Sequence, residues 1–193
     1  MKIEKISLED VQVSKWSGGS TNEYYISPKN SSVNEQDFEF RISTANIESE
    51  FSNFTMFPKH NRILMILEGE TEISYNDQES KWLKQFDLTC FSGRWNTFSK
   101  SKGVVMDFNL IYNDDYKSNV KFELINPFTE VSIRPNQWLF VYNHNGSLEL
   151  GVLNNFYTIK SKEMIVIIND NQEKVLSLKG MSKCILTFLE RIH

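Results

Sequence analysis

An aspartate and an asparagine two residues apart, Asp107 and Asn109, sit inside the apolar segment GVVMDFNLI (103–111). Successive strand side chains point to opposite faces, which sets Val104, Met106, Phe108 and Leu110 against Val105, Asp107, Asn109 and Ile111. Both faces carry apolar residues, and a carboxylate on a buried face needs a partner. Two arginines offer one. Arg41 lies in DFEFRISTA (37–45), where Glu39, Arg41 and Ser43 alternate with Phe38, Phe40 and Ile42, and Arg62 leads into the apolar run 63–67. Thr21, Glu23 and Tyr25 share one face of a third alternating stretch. A guanidinium grips a carboxylate through two parallel hydrogen bonds. A wall of Glu23, Arg41, Arg62, Asp107 and Asn109 therefore suits an acidic small molecule, while Glu23 with Asp107 would permit acid–base work. The same alternation also allows a plainer reading, in which Asp107 is a solvent-facing strand residue.

Other chemistries find less support. In SKWSGGSTNEYYISP (14–28) the paired glycines Gly18 and Gly19 follow Trp16. A phosphate loop would end in Gly-Lys-Ser/Thr and open a helix, but no lysine follows and the next residues alternate as a strand. The glycines read as a loop at the edge of the proposed wall, with Trp16 as its anchor. The three histidines, His60, His144 and His193, are scattered, with no His-x-His, so no metal and no cofactor is expected. Cys90 and Cys184 each lie in an apolar segment with no histidine beside them and read as reduced, buried thiols. No Gly-x-Ser-x-Gly elbow is present.

The elements that must position these residues are strands. Period-two alternation or β-rich apolar runs mark 24–26, 38–44, 63–67, 71–75, 88–91, 104–111, 138–143, 148–153, 164–168, 175–178 and 184–192. Turn chemistry separates them at 68–70 (GluGlyGlu), 76–77 (AsnAsp), 144–146 (HisAsnGly) and 169–171 (AsnAspAsn). The single helical hint is a short turn near 47–51. Three segments of the first half, 63–73, 83–93 and 102–111, match 138–150, 159–170 and 182–192 at an offset of about 75–80 residues, which suggests two similar β-barrel halves. Opposite Asp107 and Asn109 the second half places Thr187 and Leu189, so only the first half keeps the polar wall.

Bulk composition narrows the partners. A chain of 193 residues that is 40% hydrophobic with 14 phenylalanines buries a sizeable core. A net charge of −4 without a basic stripe argues against nucleic acid. No apolar run spans a bilayer, and MKIEKISLEDVQV lacks a hydrophobic signal core, so a cytoplasmic protein without membrane contact is expected.

In order and spacing, WSGGSTNEYYISP, FEFRISTANIESEFSNF, NRILMILEGETEI, FSG and GVVMDFNL resemble the HutD/Ves family. That family's pattern is Trp-x-Asn-Gly-Gly-Gly-x-Thr-x-Glu, Phe-x-Trp-Arg-x-Ser-x-Ala, Phe-Ser-x-Phe, Asp-Arg before an apolar strand with Leu-x-Gly, Phe-x-Gly and Asp-Phe-Asn. The likeness covers roughly 14–111 closely and the remainder loosely. It implies an all-β bicupin of two jelly-roll-like cupin barrels, expected at 1–115 and 116–193 with N-terminal strands able to pair with the second barrel; the alignment of the halves makes that second barrel structural. It also implies a bacterial protein often encoded beside histidine-utilisation enzymes. Carried over by position, the ligand-binding residues are Thr21, Glu23, Arg41, Ser43, Ser52, Arg62, Asp107 and Asn109, with Trp16, Gly18 and Gly19 at the rim. Three positions depart from the pattern: the loop reads TrpSerGlyGlySer, Phe40 replaces Trp, and Asn61 replaces the Asp before Arg62.

The resulting expectation is a metal-free monomer or homodimer. It would bind a small carboxylate-bearing metabolite resembling formyl- or formimino-glutamate and serve histidine utilisation in a regulatory or auxiliary role. The rivals are a metal-free isomerase or hydrolase with a carboxylate base, and an interaction module without a small ligand.

Overall fold

Residues with branched or aromatic side chains at alternate positions pack well on a pleated surface, and this chain is built from such stretches. The structure, a computed structural model, describes residues 1–76, 79–170 and 172–192. Among them there are seventeen strands and no helix. In chain order they begin with β1 (Lys2–Ile6), β2 (Gln12–Trp16), β3 (Gly19–Ser27), β4 (Phe40–Ile47), β5 (Phe51–Asn53) and β6 (His60–Glu68). Next come β7 (Thr71–Tyr75), β8 (Glu79–Leu83), β9 (Leu88–Ser92), β10 (Thr97–Ser101) and β11 (Val105–Asn113). The last are β12 (Tyr116–Ile125), β13 (Phe128–Ile133), β14 (Gln137–Val152), β15 (Asn155–Ile159), β16 (Met164–Ile168) and β17 (Lys174–Arg191). No helix among the described residues is long and apolar enough to cross a membrane.

The chain divides into two compact units, Val11–Asp114 and Met1–Asp10 with Asp115–His193. In the first, the described strands form one sheet in the order β2-β3-β4-β11-β6-β9 and a second in the order β5-β10-β7-β8. Ile47, Leu64, Ile66, Ile73, Leu83 and Val105 from both sheets pack into one buried cluster. In the second unit the order is β1-β16-β14-β17-β12, with β13 also on β17 and β15 also on β14. Its core gathers Leu139, Val141, Ile165, Ile167, Leu178 and Leu186. The trio β9-β6-β11 of the first unit recurs as β16-β14-β17 in the second, and these are the segments whose sequences match.

Several expectations need correction. HisAsnGly at 144–146 is not a turn: β14 runs unbroken from Gln137 to Val152, with a bulge between Asn143 and Asn145. Its partner β17 is also one strand of 18 residues, where two strands were expected. The glycines in the middle of both strands explain this. Gly146 adopts a φ of +97°, and a Cβ there would meet the Met181 carbonyl oxygen at 2.1 Å. A Cβ on Gly180, with φ +133°, would meet the Ser147 oxygen at 2.0 Å. The two backbones approach too closely for side chains, and Asn143 ties the bend by donating to the carbonyls of Gly146 and Ile159 while accepting from Ser182.

The helical hint near 47–51 is also absent. A short link connects β4 to β5, held by the Gly18 carbonyl, which accepts from the amides of Glu48 and Ser49. Cys184 is buried, but Cys90 is exposed because Thr89 and Phe91 take the inward positions of β9. His193, and parts of the turns expected at 76–77 and 169–171, lie outside the described residues.

Candidate functional site

The register of three central strands places the polar residues in rows. Asp107 on β11 lies between Ala45 on β4 and Ile66 on β6, Asn109 between Ser43 and Leu64, and Ile111 between Arg41 and Arg62. On the far side of β4, Thr21 pairs with Ala45 and Glu23 with Ser43. Side chains two apart share a face, so this one face carries all of the wall residues read from the strands. Asp107 is 1% exposed and Asn109 5%, which rules out the solvent-facing reading.

A cavity of about 490 Å³ opens over this face, within the unit Val11–Asp114. Thr21, Arg41, Ser43, Ser52, Arg62, Asp107 and Asn109 line it. Glu23 does not; it stands behind Arg41, whose Nε donates to Glu23 Oε2 at 2.6 Å while Nη1 donates to Ser43 Oγ at 3.3 Å. Ser52 shares a 2.8 Å hydroxyl bond with Ser49. At the rim Trp16 lines the cavity and its Nε1 donates to Thr21 Oγ1 at 3.2 Å. Gly18 and Gly19 are not lining residues, and their role is close packing. A Cβ on Gly18 would strike the Trp16 ring at 2.3 Å, and one on Gly19 the Asn46 carbonyl at 1.9 Å.

Arg62 and Asp107 form a relay through Asn109. Arg62 Nη2 donates to Asn109 Oδ1 at 2.9 Å, and Asn109 Nδ2 donates to Asp107 Oδ1 at 2.5 Å. Arg62 Nη1 reaches the Thr55 carbonyl at 3.3 Å, and Nε has no acceptor among the described residues. Three phenylalanine rings surround the guanidinium, with centroids at 4.9 Å (Phe54), 5.2 Å (Phe91) and 5.9 Å (Phe57), a geometry that favours the cation. Burial lowers the Arg62 pKa to about 10, against the pull of Asp107, so it stays charged at neutral pH. Burial raises Asp107 to about 7, opposed by Arg62, by the Ala45 amide and by Asn109.

The phenylalanines, the Thr55 carbonyl and the Ala45 amide are the parts that sequence reasoning missed. The aromatic density of FSNFTMF (51–57) is the signal that could have found Phe54 and Phe57; Phe91 carries none. A cation would be poorly served here. The lining offers one carboxylate, no histidine and two guanidiniums, and no group of three metal-ligating side chains occurs among the described residues. The donor set does not fit a metal.

Solved structures share this fold. A conserved protein of unknown function from Pseudomonas aeruginosa PAO1 superimposes with a TM-score of 0.86 at 17% identity, covering 98% of each chain. HutD from Pseudomonas fluorescens SBW25 gives 0.81 at 19%, covering 100% of each. Bacterial pirin YhhW from Escherichia coli, in complex with nickel(II), gives 0.70 at 8%, covering 98% of this chain and 99% of that one. No curated protein matches at the sequence level. Antiparallel sheets with these neighbours define the class by fold, all-β and cupin-like. Within that class the chain belongs to the HutD family, whose model matches residues 8–186.

Proposed function

We propose that this chain is a metal-free bicupin of the cytoplasm. Its first barrel binds a small carboxylate-bearing metabolite, in a regulatory or auxiliary role in histidine utilisation. The observation that carries the reading is Arg62, a buried, charged guanidinium on the cavity wall whose hydrogen-bond acceptors are a carbonyl and a carboxamide, both neutral. A buried cation favours an anionic partner, and a carboxylate matches the guanidinium fork. Arg41 is already matched by Glu23, so Arg62 is the anchor, with Thr21, Ser43 and Asn109 orienting the polar remainder.

The test is thermal stabilisation by N-formyl-glutamate and formimino-glutamate, compared with their uncharged amides. The carboxylates raise the Tm of the wild type, the amides do not, and Arg62→Lys weakens the shift. An unchanged shift in that variant, or no shift with any carboxylate, overturns the reading.

Asp107 favours a second reading. A buried carboxyl that titrates near pH 7 is suited to general acid–base work, which would make the protein an isomerase or hydrolase. Detection by NMR of product formed by wild type and not by Asp107→Asn would establish it.

A further inference from the structure

The cavity charges do not balance in the same way with and without an anion. Arg41 of β4 lies on the same face as Asp107 but across from Ile111, and is matched by Glu23 of β3 at 2.6 Å. Arg62 faces Asp107 from β6, separated by the Asn109 carboxamide, which bonds to both. His60 lies at the far end of β6 on the face of Arg62, and its Nε2 is committed to the Phe38 carbonyl at 2.8 Å. From the second sheet β5 contributes Ser52, and Lys100 of β10 is exposed. Among the described residues of the cavity wall, Arg62 is the one cation without an ion-pair partner, and it serves the single negative charge of Asp107.

We infer that the site takes up a proton together with its anion: seating a carboxylate against Arg62 drives Asp107 into its protonated form. The inference rests on the proposed carboxylate site and adds its regulation. Two carboxylates sharing one buried cation cannot both ionise at neutral pH, so the second gains a proton from solvent. Protonated Asp107 keeps an oxygen to accept from Asn109 and gains an O–H that can donate to the ligand. Its pKa near 7 without ligand places the exchange where small pH changes matter. Affinity is flat below that pH and falls about ten-fold per unit above it, until the pKa of the bound state is passed.

Isothermal titration of the wild-type protein with N-formyl-L-glutamate and with sodium formate, in buffers of different ionisation enthalpy, counts the protons. Near pH 7.5 binding takes up between about 0.3 and 0.8 proton per ligand, and near pH 6 almost none. Asp107→Asn binds with no buffer dependence and a flat pH profile, its fold checked by circular dichroism. Wild-type binding without uptake near pH 7.5, or with proton release, overturns the inference and leaves the carboxylate site standing. No binding of either probe near pH 6 overturns the site, and the inference with it.

Discussion

Asn109 donates to Asp107 at 2.5 Å while accepting from Arg62 at 2.9 Å, so the two charges of the cavity wall meet through a neutral carboxamide. A direct ion pair would hold Asp107 ionised and occupy Arg62. The relay instead leaves a carboxyl whose proton is held to about pH 7 and a guanidinium with donors to spare.

Asp107 gives a pH dependence with a definite sign. Its pKa is raised on folding, from 3.8 to about 7, so the folded state holds more protons than the unfolded one between those values. Its contribution is fully present below about pH 4 and is lost as pH rises towards 7. Asp107→Asn keeps the shape and removes the titration. Denaturant unfolding near pH 8 should show the variant more stable than wild type by on the order of 2–4 kcal/mol, with the gap closing near pH 4.

Glu23 acts through Arg41. Glu23→Gln leaves the guanidinium with a neutral partner and should cost about 1–3 kcal/mol in unfolding free energy. It also removes the negative charge that matches Arg41, so carboxylate affinity should rise several-fold and become more salt-sensitive. Calorimetry at two ionic strengths checks both effects, and unchanged affinity would show that Arg41 is not within electrostatic reach of the bound anion.

What was legible in the sequence follows from burial. Asp107 and Asn109 stood out because they interrupt apolar alternation, and their strand is buried as that pattern implied. The relay was not legible. It depends on the pairing of β6 with β11, whose register shifts at the bulge between Met106 and Asp107, and one sequence contains no statement of register. Strand β2 escaped notice because QVSKW is exposed along its whole length, as an edge strand can be, so no face is marked by apolar residues. HisAsnGly was misread for a related reason. Gly146 does need a positive φ, as the turn signal says, but the long ladder of β14 with β17 places that residue at a bend inside a strand.

That bend can be tested through its glycines. Gly146→Ala and Gly180→Ala each place a methyl about 2 Å from a carbonyl oxygen of the opposite strand, at a φ that L-residues rarely adopt. Neither backbone can retreat without breaking ladder hydrogen bonds. Each substitution should cost at least about 2 kcal/mol, read by chemical unfolding. Loss below about 0.5 kcal/mol in both would show that the strands do not approach so closely.

The two cysteines should differ sharply. Both thiols have raised pKa values through desolvation, Cys184 to about 12, so neither is a ready thiolate at neutral pH. Access then decides. Cys90 is exposed on β9, and its thiol is pulled back down by Lys81, whereas Cys184 is buried in the core cluster of the second unit. Ellman's reagent should label one thiol of the native protein slowly, faster as pH rises above about 8, and the second only after denaturation. Cys90→Ser should abolish the native reaction. Two reactive thiols in the native wild type would place Cys184 outside the packed core.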